Sequence, residues 1–286
     1  MNSVSDEPRP RPTLSAVVTT YNEEHNIAEC LRSLMWCDEL LVVDSFSTDR
    51  TAEIVAGFPT VRFVQRRYFG AASQKNWAMD QVTGEWVLIL DADERCTPEM
   101  QREIVELLEK GPDREAYIIR RRVYFLDRVI RFSGWQHDEV VRLVKLGAGR
   151  YPDKRVHADM MTRTPPGRLR QRMPHFMIDS FDRYLPRITT YGFWGAAQGW
   201  RQGKSSGPLQ VFGRPVWRFV RMYFLQLGFL DGMTGLVFCM LQSYATYLKW
   251  AILWEWRANA RRGRMPALPD FDDDEDTWKW EGASRR

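Results

Sequence analysis

The sequence predicts an α/β protein, a doubly wound and mostly parallel sheet followed by an α-helical, aromatic C-terminal region. Three observations predict it. Short apolar runs alternate with helical-period segments over the first hundred residues. Those runs are continuously apolar, as strands covered on both faces are. From about residue 182 the pattern changes to bulky apolar residues cut by Arg, Lys and Gly. With 286 residues, 44% hydrophobic and 27% charged, the chain can bury a sizeable core in one large domain, alone or with an appendage.

The elements follow in order. LSAVVTT (Leu14–Thr20) is a β-rich run that ends at YNEE. EHNIAECLRSLMW (Glu24–Trp36) places Ile27, Leu31, Leu34 and Met35 at helical spacing. ELLVVD (Glu39–Asp44) is a second buried-type strand, and the Ser/Thr/Asp cluster in STDRTAEIVAGF caps the helix after it. VRFVQ reads as a strand and AASQKNWAMDQV as a helix closed by Thr83-Gly84. EWVLIL (Glu85–Leu90) is the most hydrophobic strand, and TPEMQREIVELLEK is a helix with Pro98 in its first turn. Beyond Arg114, AYIIRRRVYFL and EVVRLVKL read as longer, partly exposed strands. The expected organisation is a lead-in over 1–12, a sheet domain over 13–175 with halves 13–110 and 111–175, a helical region over 176–262, and an acidic, disordered tail over 263–286.

Charge is unevenly spread. The net value is +4, but Asp270–Asp276 carries six acids and no base, which leaves the rest of the chain at +10. Between Arg114 and Arg172, fifteen Lys/Arg face six Asp/Glu. Such a surplus suits an anionic partner or is a solvated basic surface. A nucleic acid would use this basic middle and leave the acidic loops unexplained, so none is expected. Four cysteines without CxxC pairing suit reduced thiols in a cytoplasmic setting, and the N-terminus lacks an apolar signal-peptide core.

In such a sheet, ligands collect at the carboxyl ends of the strands, near the switch in strand order. That rule places YNEE, the Asp44 turn and DADE on one rim. Asp91 and Asp93, one residue apart, share a face if the strand stays regular. Two carboxylates so aimed can hold a hard divalent cation such as Mg²⁺ or Mn²⁺. The other reading is a solvated turn before a helix N-terminus, where acids are favourable anyway.

VVTTYNEEHNIAECLRSL, LLVVDSFSTDRTAEI and KNWAMDQVTGEWVLILDADE, in this order and spacing, resemble the N-terminal half of family 2 glycosyltransferases. GWQHDEVVRLVKLGAGRYPDKRVHADM is similar to their acceptor half. Within the family, the later YFLQLGFLDGMTGLVF block looks closest to the lipopolysaccharide-core glucosyltransferase type. The resemblance implies a GT-A fold and transfer of a hexose from a nucleotide-diphosphate sugar, with UDP as the guess, to a glycolipid or saccharide hydroxyl with inversion. It implies that Thr20, Tyr21, Asn22 and Glu23 lie near base and ribose and that Asp44 meets the nucleobase edge. It further implies that Asp91 and Asp93 place a divalent metal on the sugar diphosphate. Lys75 falls in the block matching a basic-plus-Asn element and either adds charge near the phosphates or is a surface lysine. Asp138 aligns with the family's base, shortly before Arg142-Leu143, and Glu139 is its neighbouring rival. His157 corresponds to a family His usually followed by Glu; Ala158 stands there instead, so His157 is either a diphosphate or metal contact or a structural residue. His137 and His175 read as structural. The remaining alternatives are a sugar nucleotidyltransferase, which lacks support because Leu14–Asn26 contains no Gly, and a non-catalytic scaffold of the same fold.

The aromatic stretch from Phe212 to Trp256, with Arg214, Arg218, Arg221 and Lys249, admits two readings. One is peripheral contact with the inner face of the cytoplasmic membrane, with Trp217, Tyr223, Trp250, Trp254 and Trp256 at headgroup level. The other is a helical subdomain that packs on protein. Gly232–Leu248 comes nearest to a transmembrane span but contains Thr, Gln, Ser and Gly, so spanning is not expected.

Overall fold

The computed structural model describes residues 11–152, 159–266 and 268. Strands and helices alternate as β1 (Leu14–Thr20), α1 (Ile27–Arg32), β2 (Glu39–Asp44), α2 (Thr51–Ala56), β3 (Arg62–Gln65), α3 (Ala71–Asp80), β4 (Trp86–Asp91) and α4 (Pro98–Lys110). Then come β5 (Ala116–Phe125), β6 (Arg128–Val129), β7 (Glu139–Lys145), β8 (Gly149–Arg150), β9 (Met161–Thr162) and β10 (Gly167–Ile178). Three helices follow: α5 (Phe181–Arg201), α6 (Arg214–Val220) and α7 (Gly232–Ala260). The main sheet runs β10-β5-β7-β4-β1-β2-β3, with β6 paired to β5.

The chain divides into two compact units. The first holds the residues up to Arg121 together with Glu139–Pro174. The second holds Arg122–Asp138 and the chain from His175 to Asp273. The short segment Arg122–Asp138 thus groups with the helical region, although sequence order places it inside the sheet domain.

In the first unit, β1 pairs in parallel with both β2 and β4, and β2 with β3, whereas β7 joins β4 antiparallel. Side chains alternate across β1, so Leu14, Ala16 and Val18 pack into a core with α1 and α4. Val17, Leu41, Val43, Val87 and Ile89 pack on the other face against Ala78 and Met79 of α3. Both faces are therefore covered, which is why the strands read as unbroken apolar runs. Helix α4 begins where Thr97 Oγ1 accepts the Met100 N–H at 3.2 Å and Pro98 needs no donor. It buries Met100, Ile104 and Leu108, one face at four-residue spacing, each contributing roughly 1.5–3 kcal/mol. Helix α1 is shorter than its sequence pattern suggests: the chain turns at Ser33, whose Oγ donates to Cys30 O at 2.7 Å.

The second unit begins with a tight hairpin. Phe125 pairs with Arg128 across Leu126 and Asp127, both at positive φ (47° and 61°), a two-residue connection of the type that suits strand twist. The loop after β6 is fastened at its start by Asp231, whose carboxylate accepts the N–H groups of Arg131 and Phe132 at 3.1 and 3.0 Å. Ser133 N–H donates to Gln226 O at 2.9 Å, and Trp135 stacks edge-on to Phe238. Helix α7 packs along α5, where Gly192, Gly195 and Gly199 leave room for Leu248, Lys249 and Leu253. Gly228–Ala260 is long and apolar enough to cross a membrane by length and composition. The tryptophans do not all face outward as expected: Trp250 and Trp256 are only 7% exposed and pack in the helical core, and Tyr223 stacks on Phe219. Trp217 and Trp254 are more than half exposed.

At Gly235 a Cβ would meet the Gly228 carbonyl oxygen at 2.0 Å, so a side chain fits there only if the backbone shifts. Gly235→Ala is expected to destabilise the protein by about 1–3 kcal/mol or more. Urea unfolding checks this, and an unchanged midpoint contradicts it.

Candidate functional site

Strand register sets the site. Thr20 lies opposite Asp44 and Thr19 opposite Asp91, so the polar ends of β1, β2 and β4 share one edge of the sheet. This edge sits where the order reverses about β1, the expected place for a ligand. The loop after β1 is tied to the loop after β2. Asn22, at φ 53°, accepts from Thr48 N–H at 2.7 Å and donates its own N–H to Ser47 Oγ at 2.8 Å. The Glu23 and Glu24 N–H groups donate to Thr51 Oγ1 and Asp49 Oδ2. Asp44 is fully buried; its carboxylate accepts from Ser47 N–H and Oγ–H and from Gln65 Nε2. Tyr21 and Phe46 project from this braced shelf, each more than half exposed, and Thr20 Oγ1 is buried without a hydrogen-bond partner. The four residues 20–23 and Asp44 are thus neighbours in the fold.

The acidic stretch departs from simple strand alternation. Strand β4 ends at Asp91, and Asp93 lies in the turn that follows, so the two carboxylates are positioned by different backbone geometry. Asp91 accepts from Thr19 Oγ1 at 2.9 Å and lies 2.7 Å from Lys75 Nζ; Arg142 Nη2 holds its other oxygen. Lys75 is therefore no surface lysine. Helix α3 carries it into the sheet edge, buried, beside the Tyr151 ring. The adjacent Asn76 braces Tyr151 by donating to its carbonyl and accepting its N–H, both at 2.9 Å.

Sequence reasoning did not find the partner that completes this cluster. Glu94 is fully buried; one oxygen takes Arg142 at 2.8 Å and Arg121 at 3.2 Å, and the other accepts the Asp91 N–H at 2.9 Å. Arg142, only 2% exposed in the middle of β7, bridges both acids. An arginine between apolar residues in a strand was the available signal. Burial alone raises the Asp91 carboxyl, but Arg142 and Lys75 outweigh it and hold the group well below its ordinary 3.8. Burial, then Arg142, pushes the Lys75 ammonium down from 10.5. Much of the acidity at this edge is balanced by the chain's own cations.

A divalent cation still fits the donor chemistry. Such ions are held by one or two carboxylates together with substrate phosphates and water. Asp93 offers a carboxylate in the turn, and Asp91 remains 32% exposed, so a ligand can reach it. Among the described residues, no three His, Cys, Asp or Glu gather as a ready-made metal site. His157 lies outside the described residues.

Asp138 belongs to the second unit. It ends the 3₁₀ turn Trp135–His137, its N–H donating to Trp135 O at 3.1 Å. It lines a cavity of 320 Å³ together with His137, Arg218, Arg221 and Gln226. His137, read as structural, is thus a cavity residue, whereas His175 is buried. The rival Glu139 falls in the first unit and is bound by Arg168 and Arg120, which depress its carboxyl, Arg168 most.

Removing Arg142 strands two acids. Arg142→Ala is expected to cost about 3–5 kcal/mol in urea unfolding at neutral pH, because Glu94 stays buried with less compensation. Because the folded value of Asp91 is depressed, its contribution is complete above about pH 4 and is lost as pH falls through the folded value. Acid unfolding of Asp91→Asn should therefore show a flatter dependence below about pH 4 than the parent. A cluster that matters little leaves both curves superposed.

The sequence profile described as glycosyl transferase family 2 matches residues 15–181. The chain is 30% identical over 257 residues to the lipopolysaccharide core biosynthesis glycosyltransferase LpsC of Rhizobium meliloti, covering 85% of this chain and 95% of that one. It is 25% identical over 269 residues to an uncharacterized glycosyltransferase of Rickettsia bellii, covering 85% and 86%. Among solved structures it is similar to S. aureus TarS bound to UDP-GlcNAc, with a TM-score of 0.46 and 14% identity over 88% of this chain and 92% of that one. It is also similar to glucosyl-3-phosphoglycerate synthase from Mycobacterium tuberculosis in complex with Mn²⁺, UDP and glucosyl-3-phosphoglycerate. There the TM-score is 0.33, with 23% identity over 40% and 44%. A profile that spans more than half of the chain, with a relative matched almost from end to end, settles the family: the chain belongs to glycosyl transferase family 2 and is a glycosyltransferase.

Proposed function

We propose that this enzyme moves a hexose from a nucleotide-diphosphate sugar, a UDP-sugar, to a saccharide or glycolipid hydroxyl during lipopolysaccharide-type envelope synthesis, with inversion at the anomeric carbon. The observation that carries the reading is the register that gathers Thr20, Asp44 and Asp91 at one sheet edge. The acceptor class is supported by the similarity to LpsC.

In this reading the first unit holds the donor. Tyr21, Asn22 and Glu23 flank the base and ribose, and Asp44 holds the shelf on which the base edge rests. Lys75 sets a positive charge beside the diphosphate. Asp91 and Asp93, with His157 as a further candidate, would hold Mg²⁺ or Mn²⁺, which supplies Lewis-acid stabilisation of the charge on the departing diphosphate. Asp138 takes the proton of the acceptor hydroxyl. The freed oxygen pair forms the new bond to the anomeric carbon as the carbon–phosphate-oxygen bond breaks and its electron pair leaves with the nucleoside diphosphate. Attack from the face opposite the leaving group inverts the centre. Glu139 is unsuited to the proton transfer because two arginines already share its charge.

The second unit also supports peripheral contact with the cytoplasmic face of the membrane, where such acceptors are assembled. Phe212, Trp217, Phe224, Leu225, Leu230 and Met233 are all more than half exposed, within a stretch that also carries Arg214, Arg218 and Arg221. Apolar anchors beside arginines suit an anionic interface.

Asp138→Asn should lower turnover by a factor on the order of 10²–10⁴ while donor binding, followed by thermal shift with UDP-glucose and Mn²⁺, stays near the parent value. Unchanged turnover removes Asp138 from the reaction. Asp93→Ala should abolish the metal-dependent part of that thermal shift; a shift that never depended on metal argues against the metal assignment. In co-sedimentation with anionic vesicles the parent should pellet, and Phe224→Glu with Leu225→Glu should release it. A parent that stays in the supernatant contradicts the membrane reading.

A further inference from the structure

The cavity beside Asp138 carries more positive charge than proton transfer needs. Arg218, in the last turn of α6, and Arg221, three residues on, both line it. Three-residue spacing on a helical segment puts their side chains on one face. Among the described residues neither makes an ion pair with a carboxylate. Arg218 is half-buried; its Nη2 donates to Gln242 Oε1 at 3.0 Å, and Gln242 in turn donates to Tyr184 Oη at 3.1 Å. Its Nε is buried without a hydrogen-bond partner. Burial, then the neighbouring Arg221, lowers the affinity of Arg218 for its proton. Two guanidinium groups are thus held near each other with no acid committed to either, an arrangement that favours an anion.

The cavity is also built rather than incidental. Gln226 is anchored by its carbonyl to Ser133, Gly134 sits at φ 85° where a Cβ would strike the Gln226 amide, and Asp231 fastens the start of the same loop. The wall that carries Asp138 and the helix that carries the arginines are therefore fixed to one another within the unit.

We propose that the acceptor carries an anionic substituent, a phosphate or a carboxylate, and that Arg218 and Arg221 bind it and so select the acceptor that presents its hydroxyl to Asp138. This rests on the proposed role of Asp138 only for the identity of the bound molecule as acceptor. Arginine forks match both oxyanions in a paired geometry, and Gln226 adds a neutral donor for sugar hydroxyls.

The test uses the full chain and three probes: mannose 6-phosphate, glucuronic acid and mannose. Binding is measured by ligand-observed NMR in the presence of UDP. Mannose 6-phosphate, glucuronic acid or both should bind at least tenfold more tightly than mannose, and the probe that binds more tightly identifies the oxyanion. Arg221→Gln, at an exposed position that tolerates the change, should erase most of that preference, whereas donor-induced thermal stabilisation stays intact. Arg218→Lys, which keeps the charge but not the fork, should lower it in part. Asp138→Asn should keep or strengthen anion binding even as turnover fails. If the three sugars bind alike, or if Arg221→Gln leaves the preference unchanged, the proposal is overturned, whatever Asp138→Asn does. If instead the preference is lost with Arg221→Gln but Asp138→Asn still turns over, the base assignment falls and the anion site stands.

Discussion

The parallel pairing of β1 with both β2 and β4 is the constraint on which the rest depends. One strand in the interior of the order fixes where two others end, and each ends in a polar loop. Apolar side chains on both faces lock that register, because a slip of one residue moves every buried valine and leucine to the wrong core. The site is thereby specified by hydrophobic burial before any charged group takes part. The hydrogen bonds between the loops after β1 and β2 then stiffen an edge whose position is already given.

At that edge the central electrostatic fact is that acids and bases are balanced within the chain. Arg142 links Asp91 and Glu94, and Lys75 approaches Asp91 from α3. Such a network is costly to assemble, since each ion loses water, but once formed it fixes the carboxylates in orientation. Asp91 stays charged and partly open, ready for a ligand without first shedding a proton. The second unit shows the opposite balance. There the arginines around Asp138 are left without acidic partners among the described residues, so charge that the first unit neutralises internally is available to a bound molecule in the second.

Much of this could be read from the amino acids, for physical reasons. Strands β1, β2 and β4 are buried on both faces, so their composition alone marks them, and α4 carries both its cap and its apolar face in sequence. The convergence of the loops at Thr20, Asp44 and Asp91 followed from the parallel order. What escaped was what depends on tertiary partners. Lys75 looks like any helical lysine until Asp91 is placed beside it. Glu94 gave no sign of its buried role, because a buried pair has the same composition as two solvated ions; only the apolar neighbours of Arg142 in β7 hinted at it. The turn at Leu126-Asp127 lacks the glycine or asparagine that announces positive φ, and so the hairpin into β6 carries no signal in the sequence. Trp250 and Trp256 have the composition of membrane anchors but face inward, clustered with Ala196 and Ala197 of α5 in the helical core.

The grip of Asp231 on the backbone of Arg131 and Phe132 spans a hundred positions of chain. It makes the entrance to α7 a reference point for the loop that ends in Asp138. Because each residue turns a helix by about 100°, a single insertion between Asp231 and Gly235 would rotate α7 away from the glycine contact and loosen the distant loop at once. Variation in this protein's helical half is therefore confined by a carboxylate far from the chemistry it serves.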